Sequence, residues 1–327
     1  MVNILSLGEV LFDCLQNTTT NEIKAYMGGA PANVACGVVN LGIPAAFLGA
    51  IGDDADGSLI RQNLEAVGVD LRGLQVAQNW PTRRVLVHHD ATGDRRFVGF
   101  LPEDCTQFAD EGLRGDDLPQ ELFAEADYLV VGTLGLAAPA TAAAMHQAVA
   151  AIHQKGGKVM VDLNWRPIFW ADEIAAIPEI KGFLKQADYL KLSQEEADLF
   201  FSDSDPQAIS QELWGDRPEA AVVITDGPEP TTYAWQGHRG RIDPFQVKPV
   251  DTTGAGDGFV AGWLYGLVQG TPKQFADPQW QQACLTFASA VGAYITLKPG
   301  AIAAQPSLDQ VKQFLRDHDR RIINEFW

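Results

Sequence analysis

Apolar positions fall along this chain in two alternating rhythms. Short runs at Asn3–Leu7, Ala45–Ile51, Tyr128–Val131, Lys158–Leu163, Asp188–Leu192 and Ala220–Thr225 are strand-like, whereas Pro31–Leu41, Gly57–Val67, Pro139–Gln154, Pro278–Tyr294 and Leu308–Asp317 read as helices. From Ala126 onward strand and helix alternate, which predicts a parallel sheet covered by helices. Arg83–His89 and Arg95–Phe100 read as a hairpin about the turn-forming Ala91-Thr92-Gly93-Asp94, and Tyr233–Trp235 with Arg241–Phe245 as an antiparallel edge. The run Ile242–Val250 reads as a further strand, followed by a helix from Gly258 that stops near Gly270. No Ser/Gly linker, repeat or low-complexity tract divides the sequence. The expectation is one domain over residues 1–327, with a small β excursion at about 14–27 and 80–107.

Composition narrows the class of partner. With 46% apolar residues in 327, the chain can bury a full core. Its 42 Asp and Glu against 24 Lys and Arg give a net charge of −18, which repels nucleic acid and anionic membrane. A nucleotide remains acceptable, because backbone N–H groups and a metal ion can hold it locally. Cys14, Cys36, Cys105 and Cys284 form no Cys-x-x-Cys pair and read as free thiols in a reducing compartment. Neither a basic-then-apolar leader nor an apolar run of membrane-spanning length is evident, so the cytoplasm is the expected location.

The chemistry concentrates in Asp251-Thr252-Thr253-Gly254-Ala255-Gly256-Asp257. Placed between a strand and a helix, its small residues let backbone N–H groups converge, and the helix N-terminus adds partial positive charge. That is a cradle for an anion such as phosphate, and Asp257 beside it can act as a base on a group held there. Phosphoryl transfer to a hydroxyl follows. The alternative is a capping turn in which Asp257 only caps the helix; the full seven residues favour the cradle. A P-loop is absent, and the dinucleotide fingerprint fails at Phe259.

Other constellations are weaker alone. Gly28-Gly29-Ala30-Pro31-Ala32-Asn33 permits close backbone approach, and Asn33 offers both a donor and an acceptor, as hydroxyl recognition needs; a tight turn before a helix reads equally well. Asp13 could accept from two sugar hydroxyls or be a solvated strand-end carboxylate. Asp162-Leu-Asn164-Trp-Arg166 follows a strand, where Arg166 could meet a phosphate or pair with Asp162. Ser193 and Glu196 form a capping-box pattern, or Glu196 orders the water shell of Mg²⁺. Thr225-Asp226-Gly227 also follows a strand. His88 and His89 would point to opposite faces of a strand and make poor joint metal ligands. The eight Trp have no regular spacing and read as core or lid residues.

Taken together, Gly28–Asn33, Asp251–Asp257 and Gly300-Ala301 resemble the signatures of the ribokinase-like (PfkB) carbohydrate kinases over essentially the whole chain. Within that family, Gly28-Gly-Ala-Pro-Ala-Asn-Val-Ala35, Leu48-Gly-Ala-Ile-Gly-Asp-Asp54 and Asp162-x-Asn-x-Arg166 followed by Trp170 look most like fructokinases. The resemblance implies a Rossmann-type three-layer α/β/α sandwich with a β lid, and ATP, Mg²⁺ and an activating K⁺. It implies Asp257 as base; Gly254, Ala255 and Gly256 as anion hole; Asp13, Gly28, Gly29 and Asn33 on the sugar, with Arg166 near the substrate. Ser193, Glu196, Thr225, Gly227, Gly256 and Ser289 would border the nucleotide. Asp251, Thr253, Ile295, Lys298 and Gly300 would surround the monovalent cation. It also implies that two copies can pair through the lid. Three positions depart from the pattern: Ser193 replaces Asn in Asn-x-x-Glu, Pro230 replaces the last Gly of the Thr-x-Gly-x-x-Gly nucleotide loop, and Gly99-Phe-Leu-Pro-Glu-Asp104 lacks the Arg of Tyr-Arg-x-Pro-x-Ala-Asp. The expected activity is transfer of the ATP γ-phosphate to a primary hydroxyl of D-fructose. The alternatives are 2-keto-3-deoxygluconate or another sugar as acceptor, or a non-catalytic binding subunit.

Overall fold

The computed structural model describes residues 1–16, 22–89 and 95–320, with backbone alone at His88, His89 and 95–97. The expected turn at Ala91–Asp94 and part of the β excursion lie outside the described residues.

Among the described residues, the strands in chain order are β1 Ile4–Leu7, β2 Leu11–Gln16, β3 Ile23–Gly28, β4 Ala45–Gly52, β5 Asp70–Ala77, β6 Arg84–His89, β7 Arg95–Leu101, β8 Tyr128–Val131, β9 Lys158–Asp162, β10 Tyr189–Ser193, β11 Ala221–Asp226, β12 Glu229–Trp235 and β13 His238–Ile242. The helices are α1 Ala30–Asn40, α2 Ala55–Val67, α3 Gln120–Glu125, α4 Pro139–Gln154, α5 Glu173–Leu184, α6 Gln194–Phe200, α7 Pro206–Trp214, α8 Ala255–Gln269, α9 Pro272–Phe275, α10 Pro278–Ile295 and α11 Leu308–Asp317. Nine strands form one sheet in the order β13-β12-β11-β10-β9-β8-β1-β4-β5. It is parallel from β11 to β5, and β12 and β13 close one side antiparallel.

Side-chain alternation in the central strands builds two cores. Leu5, Leu129, Val159, Val161, Leu190 and Val222 face the layer containing α4 and α5. Ile4, Val130, Met160, Tyr189 and Val223 face the layer of α1, α8 and α10. A strand buried on both faces has to be apolar throughout, so a polar residue within one signals a special environment. From β1 the chain first adds β4 and β5 on one side, then crosses to add β8 to β11 on the other. The switch point therefore lies between β1 and β8, and the crevice beyond their carboxyl ends is where ligands bind in such sheets.

A second sheet, β3-β2-β6-β7, stands over that crevice. It starts at Leu11 rather than at residue 14, so Asp13 belongs to it. Three sequence expectations are corrected. Residues 243–250 are not a strand, because Pro244 and Pro249 interrupt any ladder; the antiparallel edge is the longer hairpin β12–β13. Helix α8 starts at Ala255, so Asp257 lies inside its first turn. Strand β5 was not anticipated, since Arg72 and Gly73 break its apolar rhythm.

Candidate active site

The N-termini of α1 and α8 converge at the switch point. Gly29 precedes α1 with φ 102°, and a Cβ there would lie 2.5 Å from the Glu9 carbonyl oxygen. Only glycine lets β1 and α1 approach so closely. Gly254 precedes α8 with φ 78°, and a Cβ there would meet Ala301 at 2.7 Å. The helices themselves press together at Gly37, where a Cβ would be 2.8 Å from the Ala261 methyl. Asn33 and Asp257 are thereby brought side by side, and Asn33 Nδ2 donates to Asp257 Oδ2 at 2.7 Å. Gly254, not Asp257, is the N-cap; Asp257 is the third residue of α8, and its Oδ2 accepts from Asn33.

A cavity of about 350 Å³ opens here. Of the residues singled out from sequence, Asp13, Gly29, Asn33, Asp162, Asn164, Arg166, Ser193, Glu196, Thr253, Gly254, Gly256 and Asp257 line it. Gly28 sits just behind Asp13, where a Cβ would come within 3.0 Å of Oδ2. Ala255, Thr225, Gly227 and Ser289 do not line this cavity. Thr225 is the register neighbour of Ser193 on the adjoining strand, so it continues the same sheet edge outward. Gly227, with φ 51°, makes the turn into β12, and Ser289 is half-buried on α10. Pro230 falls opposite the register shift between Ile224 and Asp226, where a missing N–H is tolerated.

Lys191 was missed from sequence. Register pairs it with Asp162 across β9 and β10, and its Nζ donates to both Asp162 oxygens at 3.1 and 3.3 Å. The anticipated alternative of an Asp162–Arg166 pair is therefore replaced; Arg166 Nη1 donates to the Trp165 carbonyl. A Cβ on Gly256 would lie 2.9 Å from Lys191 Nζ, so this ammonium touches the first turn of α8. Burial pulls its pKa down, but the carboxylates of Asp162, Glu196 and Asp257 outweigh that and hold it above the ordinary lysine value. The available signal was a lone charge between Leu190 and Leu192 in a buried strand.

Burial, then the nearby charge of Asp162, pushes the Asp257 carboxyl up to about 6, while the Asn33 hydrogen bond, Lys191 and Arg166 oppose the rise. A carboxylate poised near neutrality suits a general base. Glu9, just beyond β1, was also missed. It is 4% exposed, and burial raises its carboxyl to about 8.

Ser193 and Glu196 form the capping box: Ser193 Oγ accepts from Glu196 N at 3.1 Å and Glu196 Oε2 from Ser193 N at 2.7 Å. Glu196 Oε1 also accepts from Trp165 N at 2.6 Å. Asp251 clasps two loops, its Oδ1 accepting from Thr253 N and Oγ1 and its Oδ2 from Gly300 N. Among the described residues no cluster of three His, Cys, Asp or Glu could hold a metal ion, so a cation near this clasp would rely on backbone and hydroxyl oxygens. The position where a lid Arg was expected is Phe100, and the guanidinium of Arg83, on the neighbouring strand's approach, lies 4.8 Å from its ring.

A fold with this crevice, an N-terminal cradle on α8 and a raised carboxylate defines a phosphotransferase of small hydroxylated substrates. The chain belongs to the pfkB family of carbohydrate kinases, whose sequence profile matches residues 1–308. It is 34% identical over 303 residues to the fructokinase of Salmonella typhimurium, covering 92% of this chain and 95% of that protein. Among solved structures, the Xylella fastidiosa fructokinase with bound ATP superposes with a TM-score of 0.89 at 28% identity, over 97% of this chain and 99% of that one. A double mutant of the Vibrio cholerae O395 fructokinase, in its fructose, ADP and potassium ion bound form, gives 0.85 at 26% identity, over 96% and 98%. The expected sandwich with its separate small sheet is the observed fold. No helix among the described residues is long and apolar enough to cross a membrane.

Proposed function

We propose that this kinase transfers the γ-phosphate of ATP to a primary hydroxyl of D-fructose. The observation that carries the reading is the 2.7 Å hydrogen bond joining Asn33 to Asp257 where the α1 and α8 N-termini meet. Asp13, Gly28, Gly29 and Asn33 hold the sugar from one side. Asp257 takes the hydroxyl proton as the oxygen bonds to the γ-phosphorus and the bond to the ADP oxygen breaks. The N–H groups of Gly254, Ala255 and Gly256 receive the charge on the transferring group, with Lys191 and Arg166 nearby. Most of the acceleration comes from positioning and preorganised electrostatics. Intact glycines and an intact base argue against a non-catalytic binding subunit.

ATP lies along the sheet edge past Ser193 and Glu196 toward Thr225, Gly227 and Ser289. Glu196 fits a Mg²⁺ water shell, since each carboxylate oxygen keeps a lone pair beyond its backbone bond; the bound ion neutralises phosphate charge. Carbonyl and hydroxyl oxygens of Asp251, Thr253, Ile295, Lys298 and Gly300 suit K⁺ beside the clasp. The small sheet serves as a lid whose closure excludes water. Ile23, Tyr26 and Val98 are exposed on it, as a homodimer paired through the lid requires, and sedimentation tests that. The cytoplasm is the proposed location.

One observation favours 2-keto-3-deoxygluconate as a second acceptor class: Arg166 lines the cavity and could meet a substrate carboxylate. ADP release with ATP, Mg²⁺ and K⁺ against fructose, glucose, ribose, adenosine and 2-keto-3-deoxygluconate decides. Fructose should dominate; preference for another acceptor overturns the assignment, and binding without turnover revives the regulatory subunit.

A further inference from the structure

Glu9 stands at the carboxyl end of β1, at the switch point, and is 4% exposed. Its Oε1 accepts from Ala30 N at 3.1 Å, which fixes the carboxyl plane against the first turn of α1. Its Oε2 is buried and has no hydrogen-bond partner within the protein. Such a group costs free energy unless a ligand satisfies it. Glu9 also lines two cavities at once: the site above, and an adjoining one of about 390 Å³ that shares Glu9, Leu134 and Phe169 with it.

The charges around Glu9 come from every side. The lid contributes Asp13, and the segment just before β6 contributes Arg83. Asp110 and Glu111 come from the short helical turn Ala109–Gly112, Asp257 from α8, and Asp162 and Lys191 from β9 and β10. Arg166 and Glu196 also line the site, and Arg166 Nη1 donates to the Trp165 carbonyl. The other cations have carboxylate partners of their own. Arg83 pairs with Asp110 at 2.8 Å and Glu111 at 2.5 Å inside a cage of Phe100, Phe108 and Phe169, and Lys191 pairs with Asp162. Glu9 therefore faces a net excess of carboxylates from within an apolar wall, an arrangement that disfavours its own ionisation.

We infer that Glu9 is a specificity-determining contact to the sugar, its carboxyl held uncharged so that Oε2–H donates a hydrogen bond to an oxygen of the acceptor. This rests on the fructokinase reading above and adds a donor where the site meets the adjoining cavity. The contact selects acceptors that present an oxygen lone pair at the inner end of the site, and it is lost when the carboxyl ionises, as burial sets that to occur at about pH 8.

The test uses the full chain with ATP, Mg²⁺, K⁺ and D-fructose as acceptor. Glu9→Met should raise the KM for fructose roughly tenfold or more while leaving the KM for ATP within about twofold. Glu9→Gln keeps both the acceptor for Ala30 N and a donor in place of Oε2–H, so its fructose KM should stay within a few-fold of wild type. The wild-type fructose KM should climb above pH 8, and that of Glu9→Gln should stay flat. A merely structural Glu9 would lower thermal stability without producing this difference. Should Glu9→Met not fold, the pH comparison of Glu9→Gln with wild type decides. Identical pH profiles, or a Glu9→Met enzyme with wild-type KM, would overturn the inference alone. A wild type that neither binds nor phosphorylates fructose would remove the reading beneath it as well.

Discussion

Replacing Asp257 by Asn should make the protein more stable and nearly inactive. A carboxyl whose folded pKa is about 6 against the ordinary 3.8 holds its proton more readily in the folded chain. Its ionisation therefore opposes folding. Below about pH 4 the group is protonated in both states and has no effect. Between pH 4 and pH 6 the cost grows, and above pH 6 it is fully present, at roughly 3 kcal/mol by the usual 1.4 kcal/mol per pH unit. Partial solvent contact at the cavity reduces that, so we expect about 2 kcal/mol of stabilisation by Asn at pH 7.5. For a chain of 327 residues that is roughly a 3 °C rise in Tm. The Asn33 bond survives, because the new amide oxygen can still accept from Nδ2. Activity should move the other way: without the base, kcat should fall at least about 100-fold with fructose affinity within a few-fold. The assay is paired denaturation and steady-state kinetics from pH 4 to pH 8. The argument fails if the variant is less stable at neutral pH, if the stability difference does not shrink toward pH 4, or if kcat stays within tenfold of wild type.

Two further changes probe the frame around the base. Gly29→Ala forces a left-handed backbone on a residue whose Cβ would lie 2.5 Å from the Glu9 carbonyl oxygen and 2.9 Å from Val10 Cα. Both obstacles are backbone, so chemical denaturation should register a loss of roughly 3 kcal/mol or more, and a loss under about 1 kcal/mol would refute the close approach. Lys191→Met strands the buried Asp162 carboxylate and should cost about 3–5 kcal/mol, with most of it restored by adding Asp162→Asn, as a denaturation cycle of the two single and one double variant would reveal.

The Asp251–Asp257 heptapeptide and the glycine-rich entry to α1 could be read from sequence because each is contiguous. Their function depends on backbone shape that small residues dictate locally. The parallel core was legible for the same reason, since strands buried on both faces announce themselves as apolar runs. Ile242–Val250 misled because Phe245 and Val247 mimic strand alternation while Pro244 and Pro249 forbid the ladder. Lys191 and Glu9 escaped because what brings them into the site is not local. Lys191 acquires Asp162 only through the register of β9 against β10, and Glu9 acquires its surroundings from the lid, the Ala109–Gly112 turn and α8. The capping box at Ser193 illustrates the converse: a local motif, one of two readings open for Ser193 and Glu196, that forms as its spacing indicates.

The bond between Asn33 and Asp257 joins positions 224 residues apart. A ribosome adding roughly 5–20 residues per second needs about 10–45 s to travel from one to the other. Throughout that interval the nascent chain can assemble β1, α1, β4 and β5, yet it holds neither cradle nor base. On the proposed mechanism, an unfinished or truncated copy lacking α8 is catalytically silent, and cannot drain cellular ATP before the small sheet and the core are in place to keep water from the phosphate.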